Sequence, residues 1–312
     1  MRQIIDYFKP HLAYEKQIEL LTYRGLIIED KKFALDLLRS IGYYRLSSYL
    51  YPFRDKDIKS ENEKFKGKVS IEIVAELIEF DSKLRHEILA GLESFELSFK
   101  AILAHIIGIS HPFIHYKFDF LHPKLDFTKY EKWKEKYERD KAYAQKQDYI
   151  KNYLSKYGYK FPIWIAVEFM QFGTLTFLFE MLTDQHKKEI SDHYSIPSNR
   201  LMNITVESFR DLRNICAHHS RLWNSKNINI IPKISKTHSI AKELIHIDVT
   251  EANSIYRPLV LLVYLVEKIN PSSGYKTRIK NLIDSFPVAI NDMVFSQMGF
   301  PIDWKSQEFW LN

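Results

Sequence analysis

The chain has 312 residues, of which 46% are hydrophobic and 27% charged, a composition typical of a folded protein and not of a disordered or fibrous one. Its 9 glycines and 11 prolines amount to about half of the usual share of roughly 12%, which indicates a helical fold. Walker A, Rossmann and kinase phosphate loops each need two or more glycines within about six residues, and no two glycines of this chain lie so close together, so these loops are excluded. The single cysteine, Cys216, excludes intrachain disulfides and cysteine-rich zinc sites.

The N-terminal part of the chain carries two helical patterns. A helix is predicted from Tyr14 to Tyr23, and a second one follows Asp30, a residue type that commonly caps helix N-termini. An aromatic-rich stretch, residues 42–53, comes next, and its tyrosines could either pack in a small core or stack on RNA. The charged stretch 54–68 then predicts an exposed connection. We therefore predict an N-terminal helical subdomain over residues 1–56 and a larger helical domain over residues 57–312.

The larger domain is predicted to begin with a long helix, from Ser70 to about Ile107, and to contain one strongly apolar stretch, Phe161 to Leu182. That stretch is long enough to be weighed as a membrane span, but it contains Glu168 and Glu180, and a carboxylate inside a membrane is costly. It predicts a buried helix with no role in a membrane. Glu168 would then need a partner, most simply an arginine, in either a structural or an active-site role.

Lysines and tyrosines are concentrated between Lys124 and Lys160. This segment has eleven Lys and Arg against six Asp and Glu, and seven tyrosines. Basic side chains neutralise phosphates and aromatic rings stack on unpaired bases, so the segment predicts a helical insertion that binds single-stranded nucleic acid, with Lys132, Lys134 and Lys136 as contacts. The alternative is a solvated helix whose tyrosines pack on the core.

The densest polar cluster lies near the end of a predicted helix that begins at about Pro197. Arg213, Asn214 and His218 are spaced to converge on one helical face, and Arg210 lies three residues before Arg213. Imidazole can transfer protons near neutral pH, and guanidinium matches phosphate oxygens, so this cluster suits a phosphodiester. His219, offset by about 100° from His218 on a helix, is the second candidate for proton transfer.

Three interpretations of this cluster remain open from the residues alone. In a structural one, Arg213 pairs with a carboxylate such as Glu168 or Glu207. A metal site built from Cys216, His218 and His219 is disfavoured, because neighbouring positions on a helix diverge, and we predict neither a metal nor another cofactor. In the third interpretation the cluster acts on a phosphodiester, and Arg210 and Arg221 either grip flanking phosphates or form surface ion pairs.

Several separated blocks of sequence resemble known proteins. Arg213-Asn214-Ile215-Cys216-Ala217-His218 resembles the R-x(4–6)-H motif of the HEPN ribonuclease superfamily. The wider pattern is similar to the bacterial abortive infection (Abi) family of the AbiD/AbiF type. It comprises the blocks at residues 14–28, 41–49, 81–85, 162–175 and 213–224.

The resemblance implies an all-α, HEPN-like helical bundle and a metal-independent endoribonuclease that serves in phage defence or as the toxin of a toxin-antitoxin system. It further implies a cytoplasmic homodimer whose two motifs form one site, restrained by a small non-coding RNA or a protein antitoxin. In the implied mechanism His218 transfers protons, Arg213 stabilises phosphorane oxygens and Asn214 orients. The alternative is a HEPN-fold protein without turnover, which binds RNA or acts as a scaffold.

Overall fold

The computed structural model describes residues 10–55, 64–66, 68–226, 231, 234, 242–250, 253–287 and 296–311, and within these ranges the protein is all-α, as predicted. Two isolated bridges, between Ile27 and Ser70 and between Arg54 and Phe65, are the β-type pairings of the described residues. The helices are α1 Tyr14–Tyr23, α2 Lys31–Ile41, α3 Tyr43–Leu50, α4 Ile71–Ser110, α5 Phe127–Ala144, α6 Asp148–Tyr157, α7 Ile163–Phe169, α8 Phe172–Met181, α9 Asp184–His193, α10 Asn199–Ala217, α11 Tyr256–Ile269, α12 Tyr275–Asp284 and α13 Glu308–Leu311.

Contacts divide the chain into two compact units. The first comprises Met1–Lys83 and Ser285–Asn291, so the boundary predicted near residue 56 falls inside it; residues 1–9, 56–63 and 67 lie outside the described ranges. The start of α4 belongs to this unit because the N–H of Ile71 donates to the carbonyl of Ile27, and the Tyr49 hydroxyl donates to Asp81 over 2.5 Å.

Several N-terminal predictions are settled by burial and capping in this first unit. Asp30 caps α2 as predicted, since its carboxylate accepts the N–H groups of Lys32 and Phe33. In the aromatic stretch Tyr49 is buried, whereas Tyr44 is exposed. Only part of that stretch therefore packs in a core.

The second unit comprises Leu84–Asp284 and Asp292–Asn312. Its core is aromatic: Phe95 of α4 lies 5.0 Å from Phe209 of α10, 5.6 Å from Tyr194 and 6.4 Å from Phe172 of α8, measured between ring centroids. Helix α5 joins this core through Trp133, whose indole N–H donates to the carbonyl of Thr174. These contacts fix α5, α8 and α10 against one another.

The single buried helix predicted from Phe161 to Leu182 is wrong. The chain forms two short helices, α7 and α8, because Met170 and Gln171 adopt extended backbone conformations. The buried carboxylate of Asp140 accepts the N–H of Gln171 over 3.0 Å and so stabilises the start of α8.

Candidate functional site

Helix α10 carries the predicted site on its exposed side. Ser198 caps its N-terminus by accepting the N–H of Leu201. Leu212 and Cys216 are buried, so the intervening positions Arg213 and Asn214 face outward. Burial of the apolar face thus determines which way the guanidinium and the amide point.

The C-terminal end of α10 differs from the predicted continuous helix. The helix ends at Ala217, and His219 has a positive φ of 55°. The N–H of His219 donates to the carbonyl of Cys216 and that of Ser220 to the carbonyl of Ile215, both over 3.0 Å, which is a Schellman arrangement. Glycine usually occupies this left-handed position, and the 100° offset expected between His218 and His219 does not apply because the backbone changes hand between them.

The four predicted catalytic side chains, those of Arg213, Asn214, His218 and His219, are all exposed. Within the described part of the chain, Arg213 forms no ion pair, so the pairing with Glu168 or Glu207 that we considered is not observed.

The flanking arginines behave differently from Arg213. Arg210 is held by the carboxylate of Asp211, with N···O distances of 3.2 and 3.3 Å, and the guanidinium of Arg221 lies 5.8 Å from the ring centroid of Trp223. A phosphate at Arg210 would share the guanidinium with Asp211, whereas the ring contact of Arg221 does not itself occupy the N–H groups of its guanidinium.

A groove of about 520 Å³ brings the motif helix and the basic segment together. Arg210, Arg213 and Asn214 line it from α10, and Lys129 and Lys136 line it from α5. Gln171, which precedes α8, and four residues of α8 complete the lining: Phe172, Gly173, Phe177 and Glu180. The structure therefore places predicted residues from two distant segments, Lys136 and Arg213, on one surface.

Other predicted residues do not share this groove. Lys134 lies on another face of α5 and pairs with Glu131 over 3.5 Å. His218 and His219 follow the groove at the end of α10 and are not among its lining residues. Glu168 is exposed and lines a different groove, of about 570 Å³, together with His105 and Trp164, so it is not a partner of the motif arginine.

Two carboxylates moderate the positive charge of the groove. Glu180 pairs with Lys129 over 3.0 Å. Burial, and then the neighbouring Glu180, raise the pKa of Glu207 above its usual value, whereas Arg210 opposes this shift. A phosphate that enters here therefore competes with the Glu180 carboxylate for Lys129.

Sequence reasoning missed several groove residues. Lys129 carries a signal that could have identified it, because it lies seven residues before Lys136 and so shares a helical face with it. Gln171, Gly173 and Glu180 carry no such signal, since they reach the groove only through the break between α7 and α8.

The described residues form neither a metal-binding cluster nor a membrane span. No cluster of three or more His, Cys, Asp or Glu side chains there is arranged to hold a metal ion. None of the described helices has the length and apolar character needed to span a membrane.

Comparison with known proteins places the chain in a family. Neither the curated proteins nor the solved structures contain a match. The model of the family described as Abi-like protein, however, matches residues 36–224, which is more than half of the chain and includes α5, the groove and the whole of α10. The chain therefore belongs to the Abi-like protein family.

Proposed function

We propose that this Abi-like protein is a metal-independent endoribonuclease of the HEPN superfamily, of the AbiD/AbiF type, that acts in abortive infection of phage-infected cells or as the toxin of a toxin-antitoxin system. The observation that carries the proposal is the exposed guanidinium of Arg213, which forms no ion pair with any described residue, in a groove that lysines of α5 also line. A guanidinium left without a carboxylate is available to a phosphate.

The proposed reaction is an internal transfer at phosphorus. His218 removes the proton of the ribose 2′-OH, and the 2′-oxygen attacks the adjacent phosphorus. The bond from phosphorus to the 5′-oxygen breaks, and that oxygen receives a proton, leaving a 2′,3′-cyclic phosphate and a 5′-OH. Arg213 stabilises the charge on the phosphorane oxygens and Asn214 orients the phosphate.

The remaining proposed roles follow from this placement. His219 is the second candidate for the proton transfer, Arg210 and Arg221 hold flanking phosphates, and Lys132 and Lys136 extend the binding surface. Lys134 is a weaker candidate because Glu131 already pairs with it. We further propose a cytoplasmic homodimer in which two copies of the motif form one site, restrained by a small non-coding RNA or a protein antitoxin.

One observation favours the alternative, an RNA-binding or scaffold protein without turnover. The imidazoles of His218 and His219 are not among the residues that line the groove. In the proposed homodimer, RNA would therefore have to reach these histidines through contacts with the second copy of the chain.

The discriminating experiment is cleavage of a labelled single-stranded RNA in EDTA by the wild type and by His218→Ala, Arg213→Ala and Arg200→Ala. Arg200 is a matched control, because it is an exposed arginine on the same helix, far from the motif. We expect losses of about 10²-fold or more for the first two variants and none for the control.

The products and the oligomeric state test the other parts of the proposal. A 2′-deoxy substitution at the cleaved position should abolish cleavage. Equal activity of all variants would contradict the site, loss of activity in EDTA would contradict the metal-free reaction, and a cleaving monomer in light scattering would contradict the two-chain site. Binding without any cleavage would favour the alternative.

A further inference from the structure

Charges on α5 are separated by face. Residues at steps of three, four, three and four share one side of a helix. On α5 these steps select four cations and one aromatic residue, which we call the α5 stripe: Lys129, Lys132, Lys136, Arg139 and Tyr143.

The other faces of α5 carry lysines that are already neutralised. Lys134 pairs with Glu131, and Lys141 pairs with Glu138 over 3.2 Å. Glu135 lies at the border of the α5 stripe. An ordinary solvated helix would distribute such pairs over its whole surface.

The cations of the α5 stripe are paired much less. Lys129 pairs with Glu180, but Lys132, Lys136 and Arg139 form no ion pair within the described ranges, and all three are exposed. Exposed cations without protein counterions can neutralise the phosphates of a polyanion, and the release of its bound counterions favours this binding.

The two ends of the α5 stripe differ in chemistry. In the half of the stripe that begins at Lys129, both Lys129 and Lys136 line the groove that contains Arg213. At the other end, Tyr143 is 68% exposed, and the ammonium of Lys146 lies 5.5 Å from its ring centroid. An exposed aromatic ring beside a cation can stack on an unpaired base while the cation neutralises a phosphate.

We propose that the α5 stripe binds the single strand of RNA that leaves the groove, with phosphates along Lys132, Lys136 and Arg139 and a base stacked on Tyr143. The stripe spans fourteen residue steps, about 21 Å at the helical rise. This corresponds to about six nucleotides at the spacing of a stacked strand, and to fewer if the strand is extended. The inference rests on the proposed function in placing the reacting phosphate at Arg213.

The test is binding of 2′-O-methyl RNA, which cannot react at the 2′ position, to the full chain in fluorescence anisotropy. Affinity should rise with oligonucleotide length until the strand covers the α5 stripe, about six nucleotides, and then level off. Lys132→Ala should lower the slope of log affinity against log salt by about 0.7, whereas Lys151→Ala, at an exposed lysine of α6 that pairs with Asp148 over 3.0 Å, should leave it unchanged.

Tyrosine variants test the stacking part. Tyr143→Ala should weaken binding about tenfold, and Tyr143→Phe should restore it. Tyr157→Ala is the control, because this tyrosine is 71% exposed but lies on α6. Equal effects of Lys132→Ala and Lys151→Ala, no effect of Tyr143→Ala, or tighter binding of a duplex than of a single strand would each overturn the inference.

The readout separates this inference from the proposed function. If wild-type protein cleaves no RNA but the stripe variants bind 2′-O-methyl RNA less tightly, the proposed function fails and the α5 stripe stands. If cleavage is normal and Lys132→Ala and Tyr143→Ala bind and cleave like wild type, only the α5 stripe fails.

Discussion

The left-handed conformation of His219 makes a prediction in which stability and activity change in opposite directions. A left-handed residue with a Cβ costs roughly 1–2 kcal/mol, because the Cβ approaches the following carbonyl oxygen. Glycine removes this cost, but it also increases the conformational entropy of the unfolded chain, which lowers the free energy of unfolding by about 0.4–1 kcal/mol. His219→Gly should therefore raise the free energy of unfolding by about 0.5–1 kcal/mol.

His219→Ala provides the reference for the side chain. Alanine keeps the Cβ and its steric cost, and the exposed imidazole leaves no cavity when it is removed, so the free energy of unfolding should stay within about 0.5 kcal/mol of wild type. If His219 transfers a proton during RNA cleavage, both variants should lose activity by about 10²-fold or more. The glycine variant would then be more stable and less active than wild type.

A second helix end supplies the control for the backbone. Ser195 follows α9 with a φ of 53°, and the N–H of Ile196 donates to the carbonyl of Ser191 over 2.9 Å, the same arrangement as at α10. Ser195→Gly should be more stable than Ser195→Ala by a similar amount, with cleavage unchanged. Urea denaturation and RNA cleavage measure both quantities. If His219→Gly is less stable than His219→Ala, the strain argument is refuted. If His219→Gly is more stable than wild type and cleaves RNA at the wild-type rate, the strained histidine has no role in cleavage.

Three further substitutions test the interior of the second unit. Burial, and then the charge of Lys141, lower the pKa of His115 to about 3. Between pH 6.5 and pH 3, this imidazole is therefore protonated in the unfolded chain but neutral in the folded one. Stability should fall by about 2 kcal/mol between pH 7 and pH 5 in urea denaturation, and His115→Phe should remove this part of the fall. Gly91→Ala would place a Cβ 2.3 Å from the buried Tyr275 hydroxyl and should lower the free energy of unfolding by about 1–3 kcal/mol, whereas Gly173→Ala meets open space and should not lower it. Asp140→Ala removes the acceptor at the start of α8 and should cost about 1–2 kcal/mol by the same measurement, with weaker RNA binding.

Local patterns in the sequence predicted most of the helices. Helix α1 spans Tyr14–Tyr23 as predicted, and α4 begins and ends within a few residues of its predicted limits, because their apolar residues recur with the helical period. The exposed side of α10 also follows from local pattern, since Leu212 and Cys216 are buried and place Arg213 outward. Such features depend on residues only a few positions apart.

The prediction of one helix over Phe161–Leu182 failed because the break depends on a contact between distant residues, Gln171 and Asp140. Nothing within Phe161–Leu182 marks a break, because neither Met170 nor Gln171 excludes a helix. The left-handed conformation of His219 was not predicted for a different reason: its hydrogen bonds are local, but glycine is the residue that usually signals this position. Its conformation follows from the end of α10 and cannot be read from the residue type.

The break between α7 and α8 also determines how the site is assembled. Asp140 lies one helical turn after Lys136 on α5, and its carboxylate accepts the N–H of Gln171, which precedes α8. Gln171 in turn lines the groove with Arg213. A continuous helix from Phe161 to Leu182 would have used this N–H for an internal hydrogen bond and left the Asp140 carboxylate buried without it. The interruption of one helix is therefore what fixes the lysines of a second helix beside the arginines of a third, so the basic segment and the motif form one surface only in the folded chain.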